Sequence, residues 1–273
     1  MRRVMIKGLL AHKLRLALTA LSVVLGVGFV AGTFVLTDTL AHTFDTLFAE
    51  VKGSTDAQIR STQELSPMDP AEPDRGPIPD SLLAAVQKVD GVEEAGGYVQ
   101  GRAAIVGKDG KLLGGQAPNF GASASNLGTL SPFSVKAGRA PKGSDEVVID
   151  AGTAKREHFS IGDKVRIEAS ITGTYTLVGI VGFGSQDNLA GAKFALWDAP
   201  TAQEVLHRLG EFDTIAVKAK AGVSQAQLVT RLRPLLPAGV EAITSDAAAA
   251  QQADDVKQSL SFFSTFLLSF AAV

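Results

Sequence analysis

The chain of 273 residues contains no cysteine, which excludes a disulfide framework, a lipidated N-terminal cysteine and thiolate metal sites together. It contains no Asn-x-Ser/Thr sequon and no G-x-S-x-G elbow. The four histidines, His12, His42, His158 and His207, lie far apart and match no metal-ligand spacing. A basic surplus is also missing. Residues 1–15 hold Arg2, Arg3, Lys7, Lys13 and Arg15 and no acid, so the rest carries 21 basic and 28 acidic residues. A body with a net charge of −7 lacks the basic face of a nucleic-acid-binding domain. Nucleotide chemistry has one weak candidate, Gly138-Arg-Ala-Pro-Lys-Gly143. Its glycines keep the phosphate-loop spacing, but Ser144 stands where lysine must reach the phosphates, and Pro141 removes a backbone donor. Paired carboxylates such as Glu93-Glu94 and Asp254-Asp255 read as solvated faces. These absences predict a chain that is not an enzyme, with no catalytic, cofactor or metal residues of its own.

What is present is a long uncharged run. Leu16 to Thr37 is 22 residues without a charge. At ~1.5 Å per residue a helix of that length spans roughly 33 Å, about the hydrocarbon thickness of a bilayer. In lipid only internal hydrogen bonds satisfy the backbone, so the run should be helical. The five cations precede it and Asp38 follows it, which places the N-terminus in the cytoplasm. The competing reading is a cleaved signal peptide. Signal cores are usually about 7–15 residues with a small-residue cleavage site; this run is longer and no good A-x-A site follows it. Gly28 and Gly32 form GxxxG, and Ser22 and Gly26 repeat the spacing, as in helices that pack closely or simply as in glycine-rich membrane helices. Residues 2–14 alternate basic and apolar positions, as an interfacial helix or an ordinary basic flank would.

The periodicity continues beyond the span. Leu36, Leu40, Phe44, Leu47 and Val51 recur at spacings of four and three, one apolar stripe on a helix. Ala249, Ala253, Val256, Leu260, Phe263 and Leu267 do the same near the other end. Two such helices can pack side by side as a stalk. After Lys257 the last 16 residues carry no charge, which is short of the ~20 typical of a span and predicts a second membrane helix cut off partway.

The organisation expected is therefore a cytoplasmic basic segment (1–15), a transmembrane helix (16–37), a stalk helix (38–52), an α+β extracytoplasmic domain (53–244), a second stalk helix (245–257) and the start of a second transmembrane helix (258–273). Within the domain, residues 56–61 read as a strand. Residues 62–80, with five prolines and five acids, predict an exposed, mobile loop. A short helix follows to Asp90-Gly91, then strand-like sequence over Val92–Val106 and a hairpin turn at Lys108-Asp109-Gly110. A second unit has the same order: strand 212–219, a helix capped by Ser224, and strand Gly239–Thr244. Two β-α-β units can share one sheet with helices on one face, as in ferredoxin-like domains. Residues 138–200 read as mostly strands, a β-rich subdomain for which a barrel is one arrangement.

Four stretches carry a family resemblance: AHKLRLALTALSVVLGVGFVAGTFVLTDTL, GRAPKGSDEVVIDAGTAKREHFSIGDKVRI, YTLVGIVGFGSQDNL and SFFSTFLLSFAAV. In their order and spacing they resemble FtsX-like ABC transporter permeases with a MacB-type extracytoplasmic core domain. The resemblance implies a multi-pass protein of the cell membrane whose core domain joins a porter-like βαβ region to a β-rich subdomain. It implies a separate ABC ATPase subunit that binds ATP, pairing of two permeases as a homodimer or related pair, and an envelope substrate or protein as cargo. Hydrolysis would move the domains through the stalks Leu36–Val51 and Ala249–Leu267, by export, extraction or mechanotransmission. Two other readings remain at this point: an anchored sensor or adaptor that binds an envelope protein without transport, and an anchored extracellular enzyme.

Overall fold

Alternate burial along Ala57–Ser61 makes this segment a strand with one buried and one half-buried face, and the computed structural model builds a four-stranded antiparallel sheet around it. The structure describes residues 55–65, 74–114, 117–184, 186–189, 191–251, 253 and 254, with isolated positions 18, 21, 24, 28 and 32. The chain divides into two units, Met1–Ala49 with Ala249–Val273, and Glu50–Ala248.

In the second unit, β1 (Ala57–Ser61) leads through the two-residue β2 (Ile78–Pro79) and helix α1 (Leu82–Val86) to β3 (Val92–Tyr98). Much later, β13 (Thr214–Ala219) leads through α4 (Gln225–Leu232) to β14 (Val240–Thr244). The strand order β14-β1-β13-β3, antiparallel throughout, is that of a ferredoxin-like sheet. Ala57, Ile59, Ile215 and Val217 form one core with Val86, Leu228, Val229 and Leu232, so α1 and α4 cover a single face. Each fully buried Leu contributes about 1.5–3 kcal/mol by leaving water. Helix α4 starts where expected: Ser224 Oγ accepts from Gln227 N at 3.3 Å and Gln227 Oε1 accepts from Ser224 N at 3.0 Å. Such a cap contributes about 1 kcal/mol.

The second lobe is a closed sheet. Its strands are β4 (Gln100–Arg102), β5 (Ala104–Ile105), β6 (Asn119–Ser123), β7 (Phe133–Gly138), β8 (Glu146–Asp150), β9 (Lys164–Glu168), β10 (Gly173–Phe183) and β11 (Lys193–Trp197). The path runs β4-β6-β11-β8-β10-β9-β5, and β4 and β5 are one extended stretch broken only at Ala103. That stretch pairs with β6 on one side and with β9 on the other, which closes a small barrel. β7 adds to β10 beyond the end of β9. Along β8 and β11 the side chains alternate between two cores. Val147, Ile149, Ala195 and Trp197 join the main core, whereas Val148, Phe194 and Leu196 pack with Phe133, Val178 and Val181. Gly121 is fixed by this closure, since a Cβ there would meet Ala103 Cβ at 2.7 Å, Leu206 Cδ2 at 3.0 Å and Trp197 at 3.1 Å. The barrel also contains α2 (Ala151–Arg156) and precedes α3 (Ala199–Val205).

Three expectations need correction. The β-rich part begins at Gln100 rather than 138, because β4–β6 belong to the barrel. Val92–Val106 is three strands in two sheets, since the chain passes from one lobe to the other at Val99. The base of the 62–80 loop is ordered: Leu65 N donates to Asp74 O at 2.7 Å, and Arg75 reaches Glu64 and the Ser61 carbonyl at 3.1 Å each.

The chain becomes helical again at Ser245, with Ala247 N donating to Thr244 Oγ1 at 3.1 Å. Ala249 and Ala253 are half-buried, and Asp246, Ala250 and Asp254 are exposed. Among the described residues no helix is long and apolar enough to cross a membrane. Apart from five isolated helical positions, the expected span 16–37 lies outside those residues. So do 258–273, the orienting cations Arg2, Arg3, Lys7, Lys13 and Arg15, and the stalk residues Leu36, Leu40, Phe44, Leu47, Val51, Val256, Leu260 and Phe263.

Candidate functional site

The loop with phosphate-loop spacing is a clasp. Gly138 ends β7, and Arg139 N donates to Val178 O at 3.0 Å, holding the loop to β10. The Arg139 guanidinium then forks onto Glu146, Nη1 to Oε2 at 2.6 Å and Nη2 to Oε1 at 2.5 Å. Lys142 N donates to the same carboxylate at 2.8 Å, and Gly143 N to Asp198 Oδ2 at 2.8 Å. The backbone donors that a phosphate would need are thus given to this chain's own carboxylates. The fork, followed by the Lys142 amide, holds the Glu146 carboxyl down at about 2. Asp198 also caps α3 through Thr201 N at 3.1 Å, so one carboxylate joins the clasp to that helix. Asp150 caps α2 in the same way: Oδ1 accepts from Thr153 N at 2.8 Å and Oδ2 from Phe194 N at 3.0 Å, with burial raising its pKa.

The two lobes meet at a junction through which the chain passes twice. The chain leaves the ferredoxin-like sheet at Tyr98–Gln100 and returns at β12 (Glu211–Phe212) and Asp213. β12 pairs with β2, and Gln203 of α3 donates to Asp80 Oδ2 at 3.3 Å and to Glu211 O at 2.9 Å. Phe212 lies over Gly97, where a Cβ would come within 2.3 Å of its ring. The main core runs through this junction, from Ile59 and Ile215 past Val99, Leu206 and Phe212 to Ile105 and Trp197. Asp213 is 5 % exposed and touches both crossing segments: its amide donates to Tyr98 O at 2.8 Å, and its Oδ2 accepts from Gln100 N at 2.7 Å.

Beside the junction is a polar cleft of about 620 Å³, lined among others by Gln100, Arg102, Glu168, Thr172, His207 and Arg208. Its floor is the end of α3 and the turn between β9 and β10. His158 and His207 sit apart, each in a left-handed conformation (φ 56° and 61°) just past α2 and α3. His12 and His42 lie outside the described residues. Among the described residues no group of His, Asp and Glu could hold a metal ion.

With this two-lobed geometry in view, residues 16–235 match the model of the MacB-like periplasmic core domain. The chain belongs to that family. The periplasmic region of MacB from Actinobacillus actinomycetemcomitans shares the fold, with a TM-score of 0.52 at 15 % identity over 73 % of this chain and 92 % of that one. The extracellular domain of the noncanonic ABC-type transporter YknZ from Gram-positive bacteria matches at a TM-score of 0.48 and 10 % identity, over 69 % of this chain and 99 % of that domain. Among curated proteins none matches the chain. In this MacB-like domain the motif GRxP…E, read from sequence as a resemblance, is the Arg139–Glu146 clasp. The junction residues Tyr98, Gln100, Arg208 and Asp213 were not singled out in the sequence. Asp213 stands between Phe212 and Thr214 in an ordinary strand pattern, and only the fold gives its burial away.

Proposed function

We propose that this chain is an FtsX-like permease subunit of an ABC transporter, and that it converts ATP hydrolysis by a separate ATPase into movement of its extracytoplasmic domain. One observation carries this reading: a domain of the MacB periplasmic type is framed by a basic-flanked apolar run on one side and an uncharged apolar run on the other. Leu16–Thr37 anchors the chain in the cell membrane with the N-terminus in the cytoplasm. The stripes Leu36–Val51 and Ala249–Leu267 form the stalk. Two permeases work as a pair, and the ATPase supplies the nucleotide site that the clasp at Gly138–Gly143 cannot supply. The cargo belongs to the envelope: a lipid, lipoprotein, peptide or cell-wall enzyme.

The test is uncoupling. Leu40→Asp puts an unpaired carboxylate in the apolar seam, at a cost of several kcal/mol. With the ATPase present, hydrolysis should continue while the in-cell output fails; Ala49→Asp, opposite the stripe at about 100° per residue, should leave both intact. If the two variants behave alike, the stalk does not transmit motion, and the anchored sensor or adaptor takes its place.

A further inference from the structure

The junction between the lobes has an acid at its centre whose environment serves one protonation state better than the other. Asp213 is the point where the outgoing and returning chain segments are tied together, through Tyr98 O and Gln100 N. Its Oδ2 is satisfied by the Gln100 amide, but its Oδ1 is buried and has no hydrogen-bond partner among the described residues. The cation facing it is Arg208, whose Nη2 lies 4.0 Å from that oxygen, beyond hydrogen-bonding reach, while its Nη1 lies 4.0 Å from Glu211 Oε2. The other titratable groups around it are Tyr98 from β3, Glu211 from β12 and Asp74 from the loop before β2. Two of these are carboxylates, so an ionised Asp213 is buried with one distant cation and two like charges. A protonated Asp213 removes the uncompensated charge and leaves the bond from Gln100 in place.

We propose that Asp213 makes this junction a proton-operated hinge, tight when the carboxyl is protonated and released when it ionises. The direction follows from linkage: protons favour whichever conformation holds them more firmly. Burial, opposed by the Gln100 amide and Arg208 and reinforced by Glu211 and Asp74, raises the carboxyl to about 6. In a loosened junction water reaches the carboxylate and its ordinary value returns. Ionisation therefore costs the closed junction more than the open one, and the junction eases as pH rises from about 4 to above 6. The cleft lined by Gln100 and Arg208 gives protons their route from solvent.

Hydrogen exchange on the full chain in detergent tests this, followed in a peptide covering residues 98–102 and corrected for the intrinsic pH dependence of exchange. Between pH 5 and pH 8 the wild-type junction should open more readily by about tenfold, the part of a two-unit shift that falls above pH 5. A peptide covering residues 225–232 in α4 should show no such step. Asp213→Asn keeps an acceptor for Gln100 and should abolish the step. Arg208→Gln removes the facing cation and should move the step to higher pH. The proposal is overturned if the wild-type junction shows no step, if Asp213→Asn keeps it, or if Arg208→Gln leaves its midpoint in place or lowers it. Should Asp213→Asn fail to fold, the wild type and Arg208→Gln still decide.

Discussion

Removing the guanidinium of Arg139 isolates what the clasp contributes. Arg139→Ala deletes two charge-assisted bonds to Glu146 and leaves that carboxylate with the Lys142 amide alone. The Glu146 side chain is only 16 % exposed, so it cannot regain full hydration, whereas Arg139 is half exposed. Solvent screening on the arginine side keeps the cost small. For a chain of this size the melting midpoint should fall by a few degrees at most. Arg139→Lys should recover only part of it, because an ammonium cannot make the planar fork. The pH dependence separates the clasp from simple packing. Glu146 holds its proton less tightly in the folded state, so its stabilisation is complete above the ordinary glutamate range and is lost as pH falls toward about 2. The wild type and Arg139→Ala should therefore differ at pH 7 and converge in strong acid. Thermal melts of the detergent-solubilised chain from pH 7 to pH 2 measure this. A constant difference across that range, or none at pH 7, would refute the clasp.

Barrel closure makes a second prediction: Gly121→Ala forces a methyl against Ala103, Leu206 and Trp197 and should cost about 1–3 kcal/mol, read as a lowered melting midpoint. An unchanged midpoint would mean that β6 and the β4–β5 stretch are not packed as described. Membrane orientation gives a third. A reporter active only after export, fused after residue 120, should be active, and a cytoplasm-dependent one inactive; the reverse pattern would place the domain on the wrong side for the proposed function.

Local rules made much of this fold legible. Glu146–Asp150 follows local rules: a turn precedes it, and its last residue, Asp150, caps the next helix. Ser224 and Gln227 form a capping box that sequence alone suggests. The turn at 108–110 closes as expected, with Gly107 N donating to Lys111 O at 2.8 Å. Other features depend on long-range pairing. Asn119–Ser123 has little strand character, with Asn, Gly and Ser among its five residues, and becomes β6 because two neighbours supply its hydrogen bonds. Helix α3 is hidden in the sequence although Asp198 and Pro200 mark its start, because the preceding strand pattern runs straight into it. The junction was invisible for the same reason: Gln100 and Asp213 are 113 positions apart and meet only after both lobes have formed.

The central claim is that nucleotide turnover in a partner moves this domain, and the absence of cysteine makes it directly measurable. Lys88, exposed just beyond α1, can be changed to cysteine as the sole labelling site among these 273 residues. The permease, assembled with its ATPase in nanodiscs, then carries one spin label per copy, and pulsed dipolar spectroscopy gives the distance between copies. The account predicts different distance distributions in the nucleotide-free and ATP-trapped states, with the difference lost in Leu40→Asp while hydrolysis continues. Identical distributions in the two states of an actively hydrolysing wild-type complex would contradict it.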